Sequence, residues 1–265
     1  MPHRTLAGVR RGRSGRLVRR TLAQKAKATL TRVQFASGFR VGGMELSPRL
    51  TRSERRALAF WIRRLPAALA ARLPELKLAV ADRLHFVRAN IFINEVPREG
   101  DRPLQNHTHA VSFIPQRYVV FHRELFRRRV ELGRILYHEL CHFLWPRLGN
   151  PGRRSYQTLL QQEFQQGARG ELGYSSERRK EKLRSGGEAP GGPLEGRGPW
   201  RDYVCESFCD TGAFVLQGRE RRANHSEYTL SRAARQRRCH QWSLLVLGSE
   251  RIPAGKGREP EWPKR

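Results

Sequence analysis

The segment 137–142 reads Y-H-E-L-C-H and places two histidines four positions apart, with a glutamate directly after the first. It lies within residues 123–149, where apolar residues recur with the period of a helix. These apolar residues are Leu125, Val130, Leu132, Ile135, Leu136, Leu140 and Phe143. Because residues four apart lie on one face of a helix, His138 and His142 are expected side by side. The pattern therefore predicts a helix with one wide apolar face and a pair of neighbouring imidazoles.

An H-E-x-x-H sequence on a helix is typical of a catalytic zinc site. Neutral imidazoles are good zinc ligands, and a catalytic zinc keeps one coordination position for water. Glu139, next to the first histidine, can approach that position and act as the general base. A single histidine on a helix is more often an ordinary surface or core residue, but a pair with an intervening glutamate is not. We therefore predict one Zn²⁺ ion bound by His138 and His142, with Glu139 as a catalytic residue.

Two histidines do not complete a tetrahedral zinc site, so a third protein ligand is required. The metzincin continuation is excluded, because Trp145 stands where that pattern needs glycine and Leu148 where it needs histidine. Glu206 is the better candidate, while Glu163 remains a rival.

Glu206 and Asp210 form an E-x-x-x-D pattern in the apolar helical segment 203–216. Carboxylates on such a helix are costly to bury unless they meet a cation or hydrogen-bond donors. A zinc ion for Glu206, and the N–H of a zinc-bound imidazole for Asp210, would satisfy both.

These two patterns together resemble H-E-x-x-H…E-x-x-x-D of the gluzincin metallopeptidases, the thermolysin-like class. The residues that carry the resemblance are His138, Glu139, His142, Glu206 and Asp210. The resemblance implies zinc-dependent peptide hydrolysis, with Glu206 as the third ligand and Asp210 orienting His138. The family also uses a donor downstream of the third ligand to stabilise the oxyanion. His225 and Tyr228 are both chemically suitable for that role, and the choice between them stays open.

The remaining periodicity predicts an α+β fold. Thr51 to Glu54 has the form of a capping box that starts a helix, and strand-like segments occur at 85–96, 110–113 and 118–121. Further helices are predicted at 67–73, 156–166, 203–216 and 230–247. We expect a small, mostly antiparallel sheet packed on the active-site helix, followed by a helical C-terminal half. The strand 118–121 is predicted to be the sheet edge along which a peptide substrate lies.

Charge is distributed unevenly along the chain. Lys and Arg total 52 against 24 Asp and Glu, a net charge of +28, and residues 1–44 carry eleven basic residues and no acidic one. We therefore expect a disordered basic tail over 1–44, a metallopeptidase domain over 45–250 and a second basic tail over 251–265. A Gly- and Pro-rich stretch at 183–200 is expected to be a flexible insertion within the domain.

The positive charge supports an alternative function. The chain could be a nucleic-acid-associated protein, or a repair-type protease acting on DNA-bound proteins with the basic tails as the targeting device. A third hypothesis, a structural or regulatory zinc protein without turnover, fits less well because such a site has no use for Glu139. The partners expected from the sequence are thus a peptide or protein substrate, with weak nucleic-acid association through the tails.

Four cysteines occur, at positions 141, 205, 209 and 239, with no apolar signal-peptide core near the start. This pattern favours a reducing cytoplasm, although the Arg-rich start also has a superficial likeness to an organelle transit peptide. The spacing of Cys205 and Cys209 is not that of a zinc knuckle, so both are interpreted as small buried residues. His107 and His109 form an H-x-H that is interpreted as polar spacing rather than a metal site. No apolar run is long enough to predict a membrane span.

Overall fold

The computed structural model describes residues 39–87, 90–93, 109–186, 198–218, 227 and 229–248. The strands are β1 (Phe39–Val41), β2 (Met44–Leu46), β3 (Leu76–Ala81), β4 (Leu84–Val87), β5 (Asn90–Ile93), β6 (Ala110–Phe113) and β7 (Tyr118–His122). The helices are α1 (Arg52–Ile62), α2 (Ala67–Arg72), α3 (Arg129–Leu144), α4 (Gly149–Gln165), α5 (Tyr174–Ser185), α6 (Pro199–Gln217) and α7 (Arg232–Leu247). The predicted α+β class is confirmed, with a sheet in the first half and mostly helices in the second.

Five strands form the main sheet, in the order β1-β2-β3-β7-β6. The outer pairs β1–β2 and β6–β7 are antiparallel, whereas β2–β3 and β3–β7 are parallel. The sheet is therefore mixed where we expected mostly antiparallel pairing. The parallel pairing of β2 with β3 requires a crossover, which α1 and α2 provide. Strands β4 and β5 pair with each other in a separate two-stranded sheet.

Strand β7 lies inside the main sheet, between β3 and β6. The prediction that it forms the sheet edge is therefore wrong. Its first four residues are all buried, and such a continuous apolar run is typical of a strand covered on both faces. Among the described strands, β6 stands at this edge of the sheet and is only partly buried.

Helix α1 packs against the start of α3. The predicted capping box is present, with Thr51 and Glu54 each accepting a hydrogen bond from the other's backbone N–H. Trp61 lies against Gly133, where a side chain would overlap the indole ring. The Trp61 indole N–H donates to the carbonyl of Arg129, and the Tyr137 hydroxyl donates to the carbonyl of Trp61. These contacts fix the side of α3 that faces the sheet and α1.

Helix α6 packs along α3 on another side. It is apolar around most of its circumference, as expected of a helix buried in a core, and Pro199 occupies its first turn after Gly198. At Gly212 a Cβ atom would overlap the Cys141 sulfur and lie 2.7 Å from the Trp242 ring. The absence of a side chain at this position therefore allows α3, α6 and α7 to meet closely.

Several elements were not predicted from the sequence. Strand β1 lies inside the predicted tail 1–44 and β2 begins at its last residue, while residues 1–38 and the second predicted tail, 251–265, are not among the residues that the structure describes. Strand β3 lies in a segment that received no assignment. Helix α5 is largely polar, yet it buries Ser176, Lys180 and Leu183 at helical spacing. It extends to Ser185, so the predicted flexible segment begins inside a helix, while residues 187–197 lie outside the described chain. None of the described helices combines the length and hydropathy needed to span a membrane.

Candidate metal centre

Three potential ligands converge between α3 and α6. His138 and His142 are one turn apart on α3, and Glu206 lies on α6 beside them. The two helices approach closely at Gly212. One turn earlier on α6, Phe208 packs on Trp145 and Trp242. The side chains of His138 and Glu206 are mostly buried, and that of His142 is 18% exposed. The group is thus held by core packing but keeps some access to solvent.

The distances within the group fit a bound metal ion. The Nε2 atoms of His138 and His142 are 3.2 Å apart, and Oε2 of Glu206 lies 3.2 Å from the first and 3.9 Å from the second. In a tetrahedral zinc site with bonds of about 2.0–2.2 Å, ligand atoms are about 3.3–3.5 Å apart. His138, His142 and Glu206 can therefore hold a metal ion.

Asp210 fixes the orientation of His138. Its Oδ1 atom is 2.8 Å from His138 Nδ1, so that nitrogen carries the proton and Nε2 faces the other two ligands. The second oxygen, Oδ2, accepts from the backbone N–H of Ser176 at 2.9 Å and from its hydroxyl at 2.7 Å. A side chain at Gly173 would overlap the carboxylate. Asp210 is consequently satisfied on both oxygens and has little room to move.

The site attracts positive charge. Burial alone would lower the pKa of His138, but the Asp210 and Glu206 carboxylates raise it well above its usual value. The pKa of His142 is raised to about 9, because Glu206 and Cys205 outweigh the opposing effect of burial. Burial would raise the pKa of Glu206, yet the neighbouring imidazoles bring it down to about 2. In the state that binds a metal, Nε2 of His138, Nε2 of His142 and Oε2 of Glu206 all carry lone pairs and no proton. Either a cation or protons must therefore lie between these three atoms.

Arg179 orients the carboxylate of Glu206. Its guanidinium lies 2.9 Å from Glu206 Oε1, whereas Oε2 is the oxygen near the imidazoles. Each oxygen of Glu206 therefore has a different neighbour, with Oε2 directed to the histidines. Arg179 comes from α5, the helix that also supplies Ser176.

Glu139 follows the first histidine in the chain, and its carboxylate contacts the sheet. It is 8% exposed, and its Oε2 accepts a hydrogen bond of 2.5 Å from the hydroxyl of Ser112. Ser112 belongs to β6, so the edge strand and the H-E-x-x-H helix meet at this carboxylate. Sequence reasoning missed Ser112, Ser176 and Arg179, because a single serine or arginine in a strand or polar helix carries no pattern that marks it.

Two cysteines form a second group around His142. The Sγ atom of Cys205 is 3.7 Å from His142 Nδ1, and Cys209 lies one turn further along α6. A hydrogen bond from Cys209, together with His142, lowers the pKa of Cys205 to about 6. Cys209 is a buried residue as predicted, but Cys205 is only partly buried and belongs to the site. His142, Cys205 and Cys209 also form a group that could hold a metal ion.

Glu163, the rival third ligand, belongs to a different cluster. It forms an ion pair of 2.6 Å with Arg238 on α7. Arg238 also pairs with Glu171, which accepts further contacts from Lys180 at 2.9 Å and from the Tyr203 hydroxyl at 2.7 Å. All four charged side chains are buried. Because Arg238 already neutralises Glu163, this carboxylate is placed to hold helices together and is absent from both candidate metal groups.

The remaining predicted site residues fall largely outside the described ranges. His225 and Tyr228, the candidates for oxyanion stabilisation, lie there, as does His107. His109 precedes β6, where its carbonyl accepts a hydrogen bond of 2.8 Å from the backbone N–H of His122. His109 belongs to neither metal-binding group found among the described residues.

No family model, curated protein or solved structure matches this chain. The candidate metal centre is therefore interpreted from its own geometry and chemistry.

The buried ion-pair cluster leads to a prediction about acid stability. Burial would raise the pKa of Glu171, but Arg238 and Lys180 hold it below its usual value. The stabilisation is thus present above the unfolded-state pKa of about 4.3 and is lost as the pH falls through the lower folded-state pKa. Glu171→Gln should lower the free energy of unfolding at pH 7 by about 3–5 kcal/mol, and this deficit should shrink below about pH 4.

Urea unfolding of both proteins at pH 7 and at acid pH provides the measurement. Glu124→Gln is the control, because that carboxylate is 70% exposed and its replacement should change stability by less than about 0.5 kcal/mol. A deficit for Glu171→Gln that is the same at both pH values would contradict the electrostatic explanation.

Proposed function

We propose that this chain is a zinc-dependent peptidase in which His138, His142 and Glu206 hold one zinc ion. The observation that carries the proposal is the convergence of two imidazole nitrogens and one carboxylate oxygen within 3.9 Å of one another. The residue that follows the first of these ligands in the chain, Glu139, is a buried glutamate. Two nitrogen donors and one oxygen donor suit zinc, and three protein ligands leave a position for water. Glu139 would be superfluous in a purely structural site.

The arrangement also agrees with the gluzincin resemblance. Glu206 rather than Glu163 is near the histidines, and Asp210 contacts the non-ligating nitrogen of His138, as that resemblance implies. Such a contact sets the tautomer and basicity of a ligating imidazole. The role of oxyanion stabiliser remains assigned to His225 or Tyr228.

The reaction is assigned to the chain's own residues as follows. A zinc ion in this site supplies Lewis acidity toward the peptide carbonyl and lowers the pKa of water. Glu139 accepts a proton from the attacking water and passes it to the leaving amine. Ser112 holds Oε2 of Glu139, which leaves Oε1 to exchange the proton. No covalent intermediate with the protein is needed.

A peptide substrate is favoured by the position of β6. Its only partner among the described strands is β7, and its Ser112 contacts Glu139. An extended peptide that pairs with β6 through main-chain hydrogen bonds would therefore pass next to the catalytic glutamate. We therefore propose residues 110–113, rather than residues 118–121, as the edge strand along which the peptide lies.

The first prediction from this proposal separates metal binding from catalysis. Glu139→Gln should retain stoichiometric zinc and lose activity by about 10²–10⁴-fold, because the base is removed while the ligands remain. Metal analysis and hydrolysis of a mixed peptide library test both properties. Glu131→Gln is a matched control on the same helix and should keep both. Loss of zinc from Glu139→Gln would contradict the assignment.

The second prediction concerns the ligands. His138→Ala, His142→Ala and Glu206→Gln should each abolish stoichiometric zinc, whereas Asp210→Asn should weaken zinc binding about 10- to 100-fold without emptying the site. Equilibrium dialysis against a zinc buffer gives the affinities.

Glu163→Gln serves as the control for the ligand series, since its carboxylate pairs with Arg238. It should leave zinc affinity nearly unchanged in the folded protein. If Glu163→Gln stripped the metal while Glu206→Gln retained it, the ligand set proposed here would be wrong.

A second candidate function, association with nucleic acid, is favoured by the outer face of α1. Arg52, Arg56 and Arg63 lie within about 40° of one another around this helix and are exposed, without hydrogen-bond or ion-pair partners among the described residues. They line a groove of about 1130 Å³ together with Phe39, which is 57% exposed. Arg52 stands in the first turn of the helix, at the positive end of the helix dipole, where a cation is electrostatically unfavourable and an anionic partner would stabilise it. The exposed Phe39 ring beside them carries the Arg55 guanidinium 4.1 Å from its centroid, so a base would stack on the opposite face of the ring or displace Arg55.

This candidate predicts salt-dependent binding of a short single-stranded DNA. Replacing Arg52, Arg56 and Arg63 by Gln should reduce the slope of log affinity against log salt by about 2, since each phosphate contact contributes about 0.7. Fluorescence anisotropy between about 50 and 200 mM salt measures the slope. The exposed arginines Arg154, Arg178 and Arg232, changed together, form a control with the same loss of charge. An equal effect of both triple variants would mean that only net charge matters.

A further inference from the structure

The two nitrogens of His142 face different sets of ligands. Nε2 is 3.2 Å from His138 Nε2, within the group that includes Glu206. Nδ1, on the opposite side of the ring, is 3.7 Å from Cys205 Sγ. Cys209 completes a second group, and the ligand atoms of this group lie within 4.8 Å of one another. His142 therefore belongs to two groups of potential ligands. One, with His138 and Glu206, offers nitrogen and oxygen atoms, and the other, with Cys205 and Cys209, is the sulfur-rich group.

The sulfur-rich group has the donor chemistry of a site for soft cations. Thiolates prefer d¹⁰ ions such as Cd²⁺, Cu⁺ and Zn²⁺. With Zn–S bonds of about 2.3 Å and Zn–N bonds of about 2.0–2.1 Å, sulfur and nitrogen ligands are about 3.6 Å apart in a tetrahedral site. The observed separation of 3.7 Å is close to this value. Cys205 and His142 are both partly exposed, so an ion from solvent can reach them.

We propose that His142, Cys205 and Cys209 form an inhibitory site for a soft divalent cation, which competes with the His138–His142–Glu206 site for His142. A neutral imidazole has one unprotonated nitrogen and can donate one lone pair. When a soft cation binds, the two thiols release their protons to solvent, and the His142 proton moves from Nδ1 to Nε2. His142 is then lost to the other group, which keeps only His138 and Glu206. The inhibition, but not the binding itself, rests on the proposed peptidase function.

Titration of the zinc-loaded protein with Cd²⁺ tests the proposal. Cadmium bound to thiolates gives an ultraviolet charge-transfer band that cadmium bound only to histidine and carboxylate does not give. The wild-type protein should develop this band up to one Cd²⁺ per chain, and zinc should be released in parallel to a coloured chelator. Absence of the band from the wild-type protein would overturn the proposal, and Cys205 would then serve only as a hydrogen-bond partner of His142.

Variants assign the signal to its ligands. Cys205→Ser and Cys209→Ala each remove one of the two thiolates, so both should weaken the band and raise the Cd²⁺ concentration at which it appears. Cys239→Ser should leave the band unchanged, because Cys239 is outside the group. A band of undiminished intensity in Cys205→Ser would overturn the assignment. Circular dichroism checks that each variant is folded.

His138→Ala separates this proposal from the peptidase assignment and does not depend on altering a cysteine. It dismantles the first group but leaves all three proposed soft-cation ligands, so the band should persist and appear at lower Cd²⁺ concentration. If the protein had no peptidase activity, the band would still be expected. A normal zinc site without the band would refute the soft-cation site and leave the peptidase proposal intact.

Discussion

The close packing of α3 against α6 is the contact on which the candidate site depends. Gly212 allows it, because a side chain there would overlap Cys141 on α3 and contact Trp242 on α7. Once the helices are this close, His138 reaches Asp210 at 2.8 Å and Glu206 at 3.2 Å. A wider separation would remove the imidazole partner from one oxygen of each buried carboxylate, Asp210 Oδ1 and Glu206 Oε2, which is energetically costly. The packing of apolar residues and the satisfaction of these polar groups therefore require the same helix arrangement.

Helix α5 provides most of the support behind the ligands. Ser176 binds Asp210, Arg179 binds Glu206, and Lys180 binds Glu171 in the neighbouring ion-pair cluster. That cluster combines two carboxylates with an arginine and a lysine, so its formal charge is balanced. Breaking one member would leave an unpaired buried charge, which is much more costly than losing a surface ion pair. A largely polar helix is thus held in the core by its specific partners rather than by apolar area.

His142 connects the proposed catalytic and inhibitory properties of the site. Its two ring nitrogens face different donor sets, and only one can donate a lone pair while the ring is neutral. The same residue spacing that brings Glu206 and Asp210 to His138 also places Cys205 and Cys209 on the neighbouring side of α6. Under the two proposals, the group that holds a metal ion depends on which nitrogen of this imidazole is unprotonated.

The sequence by itself determined the features that depend on local spacing. Spacing within one segment predicts the i, i+4 pairs His138/His142 and Glu206/Asp210 and the capping box at Thr51. The α+β class follows from the periodicity of successive segments. The structure agrees with each of these predictions. Tertiary structure alone decided that Glu163 pairs with Arg238, that Ser112 reaches Glu139, that Cys205 contacts His142, and that β6 rather than β7 is at the sheet edge. Each of these contacts joins segments far apart in the chain. Their formation depends on how helices and strands pack, which residue spacing within a single segment does not specify.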